Sequence, residues 1–386
     1  MRTVQAVRFG LVGSVCATLV ACASTPSSGF GLAEGDDGGA GAATSSGGGS
    51  SSGSETGSSG SATGSSGAGA SSSGVAATGG IFGSSGGPKR DAGTGSGTTQ
   101  TIIYAHTDDT LYTLDPMTMT ATEVGAFSGL GGGKGDTSVT DLAVNGNGDV
   151  YVNSETVLYQ AALPSGGTGT VNLTQVATLA GGGDFYALAF APVGALDANS
   201  ETLVGGDSNG MLWAIDPAGG SAFELGNFGA DPGASGNTLG LSGDIVFYVD
   251  ASNNPTAIAT IRSCSNSTHK CGNDYLAGID MNAIKTAYTN KSAAASLLSG
   301  VYGSPGAGQL GEGTGFYGVY GLGAWDSTVF GFSRYNKDQM PQLITIDTTT
   351  GAGTATSQSF SFQNGWSGAG VTTKVTVTVR PPPMVN

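Results

Sequence analysis

Leu111-Tyr112-Thr113-Leu114-Asp115-Pro116 and Leu212-Trp213-Ala214-Ile215-Asp216-Pro217 are one phrase written twice, about a hundred residues apart in a chain of 386. The correspondence continues without a gap through Glu123 and Glu224, Gly125 and Gly226, and Phe127 and Phe228. A shorter core, Leu-x-x-Ile-Asp, returns at Leu276 to Asp280 and at Leu343 to Asp347, and Leu158 to Ala162 is a copy that has lost its acid. Successive copies begin 47 to 67 residues apart. A unit of that length suits about four short strands with their turns, the size of one propeller blade. The expected fold is therefore all-β: a β-propeller of about five to six four-stranded blades. A β-sandwich is the alternative, and it accounts for the strands but not for the gap-free repeat.

The segments around the copies read as the remaining strands. Asp141 to Val152, DLAVNGNGDVYV, is a hairpin, because its Asn-Gly pairs supply the positive backbone angles that a tight connection needs. Strand-like runs precede the later copies at Tyr186 to Phe190, Thr202 to Gly205, Gly318 to Leu322 and Val329 to Phe332, and others follow at Glu123 to Phe127, Glu224 to Phe228 and Ala355 to Phe360. The first copy has too little chain ahead of it, only Thr101 to Ala105. The C-terminal run Gly368 to Val379 is read as the missing innermost strand, joining last blade to first and removing open sheet edges. A sixth blade has room only in Asn282 to Gly315.

These motifs resemble extracytoplasmic β-propellers. The hairpin DLAVNGNGDVYV is similar to the strand-turn-strand of NHL-type blades, and LYTLDP and LWAIDP resemble the corresponding strands of quinoprotein-like repeats. The resemblance implies blade geometry over most of residues 101–380. No tryptophan-docking motif is present, so a quinone cofactor does not follow from it.

The repeated aspartates Asp115, Asp216, Asp280 and Asp347 have two readings. They form a ring of carboxylates around a channel, or each caps a turn by accepting from backbone N–H groups two residues on, and the second is preferred. Asn145, Asn147 and Asp149, and likewise Asp207, Ser208 and Asn209, suggest oxygen-rich calcium loops, yet neither carries the full spacing that ends in a bidentate acid. No other cofactor is expected, and no metal site is assigned. The two histidines, His106 and His269, belong to no nucleophile, base and orienter set, and Asp108 and Asp109 after His106 fit a turn as well as a dyad. No catalytic residue is named, and an enzyme is the less favoured class. Trp325, Tyr335 and Trp366 are candidates for stacking on sugars, with buried packing the preferred reading of each.

The first residues decide compartment. Arg2 and Arg8 precede a short apolar run, and Leu19-Val20-Ala21-Cys22 closes it. This is a secretory signal rather than a spanning helix, and the four residues resemble the lipobox of bacterial lipoproteins. The resemblance implies that residues 1–21 are a signal peptide and that Cys22 becomes the acylated first residue of the mature chain. With two or more acyl chains, anchoring to a membrane is stable. Ala23 in place of Asp points to the outer membrane or cell surface rather than the inner membrane.

Residues 22–100 are dominated by Gly, Ser, Ala and Thr, too poor in apolar surface to offset ordering entropy. They are expected to be a disordered tether with a root-mean-square span on the order of 45 to 55 Å. Residues 101–386 form the propeller head. With Cys16 in the signal and Cys22 lipidated, Cys264 and Cys271 remain to form a disulfide in an oxidising compartment. The formal net charge is −15, and no basic cluster lies beyond Lys89-Arg90, which argues against nucleic acid as a partner. The sequence thus points to a lipid-anchored envelope protein whose head is a binding or scaffold module for a glycan, peptide or envelope protein in the periplasm or outside the cell. The alternative is a propeller-type envelope hydrolase or lyase with a carboxylate-bound metal. Oligomeric state is not legible.

Overall fold

A computed structural model describes residues 103–305, 310–335, 340–362, 365–375, 377 and 382. Cys22, the signal peptide and the Gly/Ser-rich segment lie outside the described residues.

The strands fall into five four-stranded blades, the first two joined through their outermost strands by a short parallel pairing into one eight-stranded sheet. The described residues open with β1 (Ile103–His106), β2 (Thr110–Asp115) and β3 (Thr120–Ser128). The second blade is β4 (Asp141–Val144), β5 (Val150–Asn153), β6 (Val157–Ala162) and β7 (Val171–Thr178). The third is β8 (Phe185–Ala191), β9 (Thr202–Asp207), β10 (Leu212–Ile215) and β11 (Ala222–Gly226). The fourth is β12 (Asn237–Val249), β13 (Pro255–Ser265), β14 (Tyr275–Ile279) and β15 (Leu298–Val301), with helix α1 (Met281–Asn290) inserted before its last strand. The fifth is β16 (Tyr317–Trp325), β17 (Thr328–Tyr335), β18 (Gln342–Ile346) and β19 (Gly353–Ala355). Last comes β20 (Gly368–Val371), which pairs antiparallel with β1 and so completes the first blade with the end of the chain. The first strands of successive blades, with β20 closing the ring, pack against one another around a central axis.

Asn282 to Gly315 holds α1 and β15 rather than a sixth blade. The helix follows from local sequence. Asp280 accepts from the N–H groups of Asn282 and Ala283, and Ile284 and Ala287, three apart on one helix face, are buried.

All five copies of the repeated phrase occupy the third strand of a blade: β2, β6, β10, β14 and β18. Side chains alternate faces along a strand, so two apolar residues three apart point to opposite faces. Both faces of a blade are covered by its neighbours, and the pairs Leu111 and Leu114, Leu212 and Ile215, Leu276 and Ile279, and Leu343 and Ile346 are all buried. The shared glycine also has a cause. Gly125 and Gly226 sit at bulges with φ of 150° and 136°, where a carbonyl oxygen of Gly169 or Ala294 fills the space a Cβ would take.

The seam between the last blade and the first is closed by more than β20. Trp366, fully buried just ahead of β20, packs edge-on against Phe332, Phe360 and Phe362 with ring centroids 5.2, 4.9 and 4.7 Å away. Trp366 is thus a core residue, Trp325 is half-buried, and the Tyr335 side chain lies outside the described residues. Cys264 and Cys271 are joined by a disulfide at the end of the long β12–β13 ladder.

Candidate functional site

Adjacent inner strands share no regular ladder, so side chains supply their hydrogen bonds. Asp141 Oδ2 on β4 accepts from Leu188 N of β8 (2.6 Å), and Asp244 Oδ2 on β12 accepts from Leu322 N of β16 (2.8 Å). Asp274, just ahead of β14, accepts from Val319 N of β16 (2.7 Å). These carboxyls are fully or almost fully buried, and each ties one blade to the next.

Two of them meet at the axis. Burial and the facing Asp244 carboxylate push Asp141 well above the usual carboxylate range. Burial raises Asp244 in the same direction. His106, also fully buried, places Nε2 at 3.8 Å from Asp141 Oδ1 and directs Nδ1 to the carbonyl of Thr107 (2.7 Å). Desolvation lowers its pKa to about 4, outweighing that backbone bond. Gly368 makes this cluster possible, since a Cβ there would collide with Asp141 Oδ1 and lie 2.5 Å from His106 Nε2.

The axis ends differently on its two sides. Where the inner strands begin, a cavity of about 210 Å³ opens, and every blade contributes to it. Asp108 and Ser367 come from the first blade, Thr140 and Glu155 from the second, Tyr186 from the third, Ser242 from the fourth, and Tyr320 and Arg334 from the fifth. Arg334 grips Asp108 with two parallel hydrogen bonds of 3.1 and 3.0 Å and donates to Ser367 (3.2 Å), which itself donates to Asp108. The same guanidinium lies over the Tyr320 ring, 6.0 Å from its centroid. Opposite, the Tyr186 hydroxyl donates to Glu155 Oε1 (2.8 Å). Burial, reinforced by the Glu155 carboxylate, holds the Tyr186 hydroxyl well above the usual phenol range.

At the other end the chain beyond β20 crosses the axis. Thr372 donates to the Asn145 carbonyl (3.0 Å), and Thr373 donates to Glu201, which in turn accepts from Gly146 N with both oxygens (3.0 Å each). Val375 and Val377 then exchange backbone hydrogen bonds with Val249, and both are buried. Between the two ends the inner strands leave a space of about 10 Å³, no more than one water needs. Among the described residues the cavity opens at one end of the axis, and the chain beyond β20 covers the other.

The repeat aspartates lie away from this site, at the ends of third strands. Asp115 accepts from Met117 N (2.9 Å), Asp216 from Ala218 N (3.0 Å) and Asp347 from Thr349 N (2.6 Å), while Asp280 caps α1. The suspected calcium loops are turns in this structure. Asn145 Oδ1 accepts from Asn147 N and Asp149 N, and Asp207 Oδ1 from Asn209 N and Met211 N. Among the described residues no group of three or more His, Cys, Asp or Glu side chains converges as a metal site would require. Sequence reading missed Glu155, Tyr186, Tyr320 and Arg334, which carry no local signal and meet only through blade closure. His106 and Asp108 were noticed as neighbours, but the structure sends one to the buried axis and the other to the cavity wall.

No protein-family model matches the chain, and no curated protein matches it. Among solved structures it is similar to a protein of unknown function from Bacteroides caccae, at 8% identity over 70% of this chain and 98% of that one, with a TM-score of 0.35. It is similar to a candidate 6-phosphogluconolactonase from Bacteroides fragilis at 10% identity over 72% and 99% of the two chains, with a TM-score of 0.35. A third is BamB from Moraxella catarrhalis, at 9% identity over 66% and 69%, with a TM-score of 0.28. At these values no function transfers, and the propeller rests on the strand order described above.

Proposed function

We propose that the chain is a cell-envelope lipoprotein, anchored through acylated Cys22, whose propeller head is a binding module for an envelope glycan, peptide or protein. The observation that carries the binding reading is the one-ended cavity, which gathers hydroxyl, carboxylate, guanidinium and aromatic groups from all five blades. At about 210 Å³ it is smaller than the roughly 300 Å³ at which drug-sized pockets begin, so it suits one sugar unit or one protruding side chain. The surrounding loops supply the wider contact. The signal, lipobox and tether at the chain's start support anchorage.

Two variants of the full-length protein test the two halves of the reading. Ser138 lines the cavity and is half-buried, so Ser138→Trp fills the mouth without entering the core. Wild type is expected to co-sediment with purified cell-wall sacculi and Ser138→Trp to remain in the supernatant with an unchanged melting temperature. Equal retention of the two overturns the cavity reading. Cys22→Ala is expected to move the protein from the membrane to the soluble fraction, and its continued sedimentation with membranes overturns the anchor.

A further inference from the structure

Resting on that binding reading, we propose that the cavity is selective for a protonated primary amine, with Glu155 as its counter-charge. The charges of the lining decide this. Arg334 is engaged in two hydrogen bonds with Asp108 across the closing seam, so these two cancel. The other arginine nearby, Arg262, lies 3.2 Å from the buried Asp274 and donates to the Ser242 carbonyl (3.1 Å), so that pair cancels as well. Glu155 is left over. No cation among the described residues forms an ion pair with it, and its neighbour Asp184 adds negative rather than positive potential at Tyr186. The Tyr186 hydroxyl holds one Glu155 oxygen in place, which fixes the carboxylate toward the cavity that both residues line.

The remaining surface suits the same ligand. An ammonium group needs a carboxylate, further oxygen acceptors and electron-rich ring surface, and the cavity provides Glu155, the hydroxyl of Ser138, and the two tyrosines. Arg334 over Tyr320 shows a cation already held against an aromatic ring within the same wall. A net charge of −15 on the whole chain draws cationic groups toward it and disfavours anionic ones. Such an amine comes either from an amino sugar with a free amino group or from a lysine side chain of a peptide.

Calorimetric titration of the full-length protein in detergent distinguishes these cases. The probes are D-glucosamine, D-glucose, Nα-acetyl-L-lysine methylamide and its neutral Nε-acetylated counterpart. Each amine is expected to bind about tenfold or more tightly than its neutral counterpart, since one part-buried charge pair is worth roughly that factor. The stronger of the two amines identifies the source. Glu155→Gln keeps the acceptor for Tyr186 and is expected to abolish the preference, whereas the distant Asp347→Asn leaves it intact. Glucose binding as well as glucosamine overturns the amine proposal and leaves the binding module standing. Binding of none of the four overturns the amine proposal whatever the outcome with sacculi, and an unaltered preference in Glu155→Gln overturns the role of that carboxylate.

Discussion

The two ends of the propeller axis are made from the same five inner strands and yet are opposites. One end is a polar cavity whose walls are side chains from separate blades. The other is covered by a single length of chain that follows β20 and buries Val375 and Val377. A ring of strands has no reason to differ at its two mouths until something crosses one of them. The C-terminal segment crosses at the exit end, which frees the opposite mouth to keep polar groups in contact with solvent. The difference between the ends is therefore a difference between burial that stabilises and exposure that remains available to a ligand.

The closed end is where the comparison breaks hardest. Val377 is fully buried in an apolar cluster, and Val377→Asp places a carboxylate there. A loss of about 4 kcal/mol of stability is expected by urea denaturation, in the range of an uncompensated buried charge. A loss below about 1 kcal/mol would mean that the crossing segment does not close the axis.

The buried middle sharpens the contrast through pH. The carboxyl of Asp141 is raised in the folded state, so its contribution to stability is present below the ordinary carboxylate pKa and is lost as pH rises through the raised value. His106, lowered to about 4, acts in the opposite sense, its contribution being present above about 6.5 and lost as pH falls toward 4. Asp141→Asn removes the first effect and keeps the second. Relative to wild type, the variant is expected to gain stability as pH rises above the ordinary carboxylate range, by up to about 1.4 kcal/mol per pH unit. Parallel stability profiles for the two proteins would show that Asp141 titrates normally.

The smallest effect belongs to the open end. The Arg334–Asp108 pair is about one-fifth to one-quarter exposed, with side-chain exposures of 20% and 27%. Arg334→Met, which keeps the stem, is expected to cost no more than about 1 kcal/mol, with the loss shrinking further in high salt. A loss rivalling that of Val377→Asp would make the cavity wall a structural element rather than a ligand surface.

The fold was legible where its cause is local. A Leu and an Ile three apart, followed by Asp at a strand end, record a blade's two covered faces and its turn, and these locate all five third strands. Closure by the C-terminal run was readable for a complementary reason: the first copy has too little chain before it. The helix α1 carries a local signal, Asp280 ahead of Ile284 and Ala287, that is lost when Asn282 to Gly315 is read as room for a sixth blade and Asp280 as a turn cap. The cavity was not legible, since Asp108, Glu155, Tyr186, Tyr320 and Arg334 are scattered over more than two hundred positions. Asp141 was seen only as the first residue of a hairpin. Nothing in its neighbours announces Asp244, which reaches it only when the ring closes.

The direction of β1 has one more consequence. Ile103 pairs with Val371 at the covered end of the axis, while His106 pairs with Gly368 beside the open one. β1 therefore begins at the covered end of the axis, away from the cavity. The first strand's start and the mouth of the hollow are thus set on opposite faces of the wheel.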